Sequence, residues 1–61
     1  MSNIKVEVYV NGSVCIEAGS RMVAMSRFGA AAHCISEEFG AGVHEFTEDK
    51  VPPIIADALG N

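Results

Sequence analysis

The sequence predicts a small α+β domain, a ββαβ plan in which a three-stranded antiparallel sheet of order 2-1-3 carries one crossing helix. Three observations predict it. Residues 4–18 hold two apolar-polar alternations around a turn, residues 22–39 hold apolar side chains at three- and four-residue steps, and a short β-prone run follows Gly42. At 61 residues and 6.4 kDa, one domain over 1–61 is expected, near the size at which a single core only just offsets chain entropy.

Ile4, Val6, Val8 and Val10 alternate with Lys5, Glu7 and Tyr9, and Val14, Ile16 and Ala18 alternate with Cys15 and Glu17. These are two strands of a hairpin over 3–18, and the turn sets their register. A two-residue Asn11-Gly12 loop would place Val8 opposite Cys15 and Val6 opposite Glu17, sending the apolar rows to opposite faces. A three-residue loop, Val10-Asn11-Gly12, closed by Tyr9 and Ser13, instead pairs Val8 with Val14, Val6 with Ile16 and Ile4 with Ala18. Gly12 then takes the left-handed bulge position, which it occupies without a Cβ clash. One face is apolar; the other carries Lys5, Glu7, Tyr9, Ser13, Cys15 and Glu17, with Lys5 opposite Glu17.

Gly19-Ser20 breaks the second strand, and Ser20 can cap a helix over 20–39 whose stripe is Met22, Met25, Phe28, Ala32, Ile35 and Phe39. Gly40 stands where a left-handed C-terminal cap belongs. Gly29 within such a helix costs about 1 kcal/mol relative to Ala, and close packing on the sheet is favoured over a kink as its reason. The helix also carries its charges in reverse: Arg21 and Arg27 lie toward the positive end, Glu37 and Glu38 at the negative end, each reversal costing about 0.3 to 1 kcal/mol when exposed.

A third strand is expected over 43–47 with Phe46 as its core residue and His44 at the core edge. "TEDK" makes a polar turn, and Pro52-Pro53 starts a C-terminal turn or helix over 52–59 with Ile54, Ile55, Ala58 and Leu59 on its apolar side. A helix that crosses the hairpin and returns the third strand beside the first gives the 2-1-3 order. This plan is similar to that of some small bacteriophage proteins that bind and inhibit host enzymes, a similarity of architecture with no shared motif.

Eight acidic against four basic residues give a net charge of -4, which disfavours direct nucleic-acid binding and points to a basic partner. No run approaches the roughly 20 apolar residues of a membrane span, and "MSNIKVEVYV" lacks a signal-peptide layout, so a cytoplasmic protein is expected. Cys15 and Cys34 read as free thiols on opposite sides of the sheet. His33 and Cys34, neighbours on a helix, point about 100° apart and form no dyad. Cys15, His33, Cys34 and His44 lack the paired spacings of a zinc site, and the glycines at 40 and 42 are not followed by a phosphate-loop Lys. No enzyme, metal or cofactor is expected.

Two features remain for function. Glu37, Glu38, Glu45, Glu48 and Asp49 fall within a stretch free of Lys and Arg, which reads as an acidic patch for a basic, possibly nucleic-acid-binding, host protein. The C-terminal segment carries Ile54, Ile55 and Leu59, either as a plug on the core edge or as an exposed apolar interface. A stand-alone frame of this size opening on Met1 fits a phage- or plasmid-encoded inhibitor such as an anti-CRISPR. The alternative is a homodimeric structural or regulatory module such as a toxin-antitoxin partner, associating through the C-terminal segment or a free sheet edge.

Overall fold

The computed structural model describes residues 3–60; Met1, Ser2 and Asn61 of the expected 1–61 domain lie outside the described residues. The hairpin forms as its alternation requires. Strands β1 (Asn3–Val8) and β2 (Val14–Ala18) are antiparallel, with Val8 opposite Val14, Val6 opposite Ile16, Lys5 opposite Glu17 and Ile4 opposite Ala18. The Tyr9 N–H donates to the Ser13 carbonyl at 2.9 Å and the Gly12 N–H to the Tyr9 carbonyl at 2.9 Å, closing the three-residue loop with Gly12 at φ 94°.

The expected helix over 20–39 is corrected to a strand, a loop and a shorter helix. Gly19-Ser20 does not end the sheet; it is a tight two-residue turn between Ala18 and Arg21, with Gly19 at φ 63° and Ser20 at negative φ, the pattern of a type II′ hairpin turn. Strand β3 (Arg21–Met25) returns along β2 and sets Val23 opposite Ile16 and Met25 opposite Val14. Helix α1 (Ala30–Phe39) begins after the Ser26–Gly29 loop, so Gly29 is its N-cap residue rather than an interior one. Ala30 to Ala32 favour helix, and Gly40 ends it at φ 80°, its N–H bonded to the Ser36 carbonyl at 2.9 Å.

Strand β4 (Gly42–Thr47) pairs with β1, giving a four-stranded antiparallel sheet of order β3-β2-β1-β4 in place of three strands ordered 2-1-3. A 3-10 turn (Glu48–Lys50) and helix α2 (Pro53–Ala58), started by Pro53 in its first turn, close the fold. The ten residues of α1 span about 15 Å, close to the about 14 Å between the two edge strands. It therefore joins β3 to β4 by passing over the central strands, and it packs on β1 and β2.

The core lies between one sheet face and the helices. Ile4, Val6, Val8, Val14 and Ile16 from the sheet meet Ala32 and Ile35 of α1 and Ile55 and Leu59 at the C-terminal end, all buried. Ile55 and Leu59 are thus core residues, the plug of the two alternatives the sequence leaves open, and Ile54 is half-buried against the same cluster. Arg21 Nη2 donates to the Leu59 carbonyl at 2.8 Å and ties β3 to the end of α2. Arg21 is therefore no misplaced charge at a helix N-terminus but a cation at a helix C-terminus, where the dipole favours it.

Candidate functional site: the open face of the sheet

Both helices cover one side of the sheet, so the alternate residues of every strand form a second side that is uncovered among the described residues. Strand register lays these residues out in rows. One row reads Met22, Glu17, Lys5, Glu45 across β3, β2, β1 and β4; the next reads Ala24, Cys15, Glu7, Val43. The polar half of the hairpin was legible in its alternation. Met22, Ala24, Val43 and Glu45 join it only because β3 and β4 flank the hairpin.

Lys5 is the centre of this face. Its Nζ lies 3.4 Å from Glu17 Oε2 and 4.0 Å from Glu7 Oε1. Hydrogen bonding to Glu17, then the charges of Glu17 and Glu7 with a smaller contribution from Glu45, raises the Lys5 pKa above its ordinary value of 10.5 against a small opposing desolvation. Three carboxylates around one ammonium leave the face acidic.

At the hairpin end a shallow groove of about 640 Å³ opens between the Tyr9–Ser13 loop and the start of β4. Glu7, Tyr9, Val10 and Val43 line it, and Tyr9 (45% exposed), Val10 (96%) and Val43 (58%) give it apolar surface open to solvent. Among the described residues two further large apolar side chains are exposed: Met22 (66%) at the end of the charge row, and Phe28 (83%) in the loop before α1. The Arg27 guanidinium lies over the Phe28 ring, 4.7 Å from its centroid. Both Met22 and Phe28 belong to the expected helical stripe, and their exposure follows from the strand and loop that replace it.

The five carboxylates read as one patch are dispersed. Glu37 and Glu38 stand exposed on the last turn of α1, with Glu37 3.8 Å from His33, and remain at the unfavourable helix end. Glu48 and Asp49 lie past the far end of β4, about 17 Å of strand away. Glu45 projects from the opposite side of the sheet, beside Lys5. Contiguity in sequence is lost because a helix end, a strand and a 3-10 turn point these side chains in three directions.

His44 faces inward, level with Val6; its Nε2 lies 3.0 Å from the Gly40 carbonyl oxygen and its ring 5.5 Å from that of Phe39. It fastens the helix end to β4. Cys15 is half-buried on the open face and Cys34 is exposed on α1; both are free thiols. No His/Cys/Asp/Glu group of three or more among the described residues is placed to hold a metal, and no helix among them is long and apolar enough to cross a membrane.

Compared with known protein families, curated proteins and solved structures, the chain matches none. The site's own chemistry therefore carries the functional reading.

Proposed function

We propose that the chain is a non-enzymatic protein-binding module that docks its open sheet face on a basic surface of a partner. One observation carries this reading: Glu7 and Glu45 share with exposed Tyr9 and Val43 the side of the sheet that no helix covers. Apolar anchors beside carboxylates match the anatomy of a protein interface, where aromatic contacts supply affinity and charges supply steering and register. The acidic balance of the chain supports a basic partner. The specific form we favour is inhibition: a carboxylate-bearing face that occupies a nucleic-acid-binding surface of a host protein, as a phage- or plasmid-type inhibitor such as an anti-CRISPR would.

The test is capture from bacterial lysate with the tagged wild type and two charge-reversal sets. Glu7→Lys with Glu45→Lys alters the open face. Lysine at Glu37, Glu38, Glu48 and Asp49 alters the remaining acidic positions. The proposal expects one stoichiometric partner, released by moderate salt, that the first set loses and the second retains, with both sets folded by circular dichroism. Loss with the second set alone would move the contact off the open face. Recovery of the chain by itself would favour the homodimeric module, for which the free edges of β3 and β4 are the observation in support.

A further inference from the structure

The edge of the sheet at β4 specifies what kind of segment it can receive. The Tyr9 N–H to Ser13 carbonyl bond makes that pair a hydrogen-bonded one, and such pairs alternate along an antiparallel ladder. Lys5 and Glu7 therefore direct their backbone groups to β2, and Ile4, Val6 and Val8 direct theirs to Phe46, His44 and Gly42 of β4. It follows that the N–H and C=O groups of Val43, Glu45 and Thr47 point away from the sheet. All three residues are exposed, and β4 pairs with β1 alone among the described residues. An extended chain laid there finds a complete row of backbone partners.

The side chains add specificity. Across the open face the charges alternate from strand to strand, Glu17 negative, Lys5 positive, Glu45 negative, and the row stops at the edge with a carboxylate. The next strand continues the alternation if it brings a cation. Two residues along β4, Val43 offers apolar surface at the mouth of the groove formed with Tyr9 and Val10. A second copy of this chain does not meet these requirements through its own β4. Two-fold antiparallel pairing that keeps faces aligned sets Glu45 against its own copy, against Val43 or against Thr47; the first opposes like charges and the other two leave the carboxylate without a cation.

Resting on the protein-binding reading above, we propose that β4 takes up an extended segment of the partner as a fifth strand, with a Lys or Arg opposite Glu45 and an apolar side chain two residues away opposite Val43. Added antiparallel, like every other neighbour in the sheet, the strand reads basic-x-apolar from its N-terminus, with backbone bonds supplying affinity and the Glu45 and Val43 positions supplying selectivity.

A proton–nitrogen NMR titration with two synthetic peptides tests it. Both are threonine-rich and extended; one carries Lys-Thr-Val and the other Glu-Thr-Val. The expected result is saturable shifts at the Val43, Glu45 and Thr47 amides, with the Lys peptide bound about fivefold more tightly than the Glu peptide, the size of a strong cross-strand charge pair. Glu45→Lys reverses that preference, and N-methylation of the peptide on the edge-facing amides abolishes binding. Shifts centred on Met22 and Ala24 of β3, no saturable shift, or a preference for Lys that survives Glu45→Lys would each overturn strand addition. A partner captured from lysate that binds Glu45→Lys unchanged overturns this inference while leaving protein binding in place; capture of no partner overturns the reading beneath it.

Discussion

Lys5 shows how one side chain organises a surface. It is half-buried, three carboxylates on three strands face it, and the Glu17 contact at 3.4 Å spans the hairpin. Because its folded-state pKa is raised above 10.5, its contribution to stability is fully present below that value and is lost as pH rises through the folded pKa. Urea midpoints measured on either side of about pH 10.5 are expected to fall more in the wild type than in Lys5→Gln, while the two chains behave alike near neutrality apart from a constant offset. Parallel pH profiles throughout the alkaline range would contradict the charge row. Arg21 makes the complementary point: its bond to the Leu59 carbonyl at 2.8 Å turns a charge that looked unfavourable on a long helix into a link between β3 and α2.

At the level of elements, residues 20–29 separate the two descriptions of the chain. Met22, Met25 and Phe28 are spaced three apart, which fits a helical stripe, but Met22 and Met25 also fall on opposite sides of a strand. The strand wins because the Gly19-Ser20 turn puts Val23 on Ile16 and Met25 on Val14, burying apolar surface where the hairpin already has it. Met22→Ala and Phe28→Ala are accordingly expected to change stability by less than about 0.5 kcal/mol, as exposed substitutions do. Ile55→Ala and Leu59→Ala should each cost about 2 to 5 kcal/mol, enough to unfold much of a domain whose total is on the order of 3 to 9 kcal/mol. A thermal-melt series with the reverse ranking would restore the long helix and expose α2. The register of β1 and β2 was readable because two alternations and one loop length leave a single arrangement that puts both apolar rows on one face. The same test applied to Gly19-Ser20 identifies β3; the three-residue spacing masked it. The acidic run is divided among elements for a different reason, since adjacency along the chain does not survive the change from α1 to β4 to the 3-10 turn.

For the whole molecule, the order β3-β2-β1-β4 with both helices on one side has two consequences: a core closed by Ile55 and Leu59, and a sheet face and β4 edge left open. The open face carries the charge row and the edge carries the unpaired backbone, so the proposed partner binding and the proposed strand addition converge on β4. Amide hydrogen exchange of the chain alone and in complex with its captured partner tests this most directly. The account predicts that Val43, Glu45 and Thr47 exchange quickly in the free chain while His44 and Phe46, bonded to β1, exchange slowly, and that the partner slows all three edge amides. Edge amides already slow in the free chain, or partner-induced protection confined to α1 or the β3 edge with β4 unchanged, would contradict it.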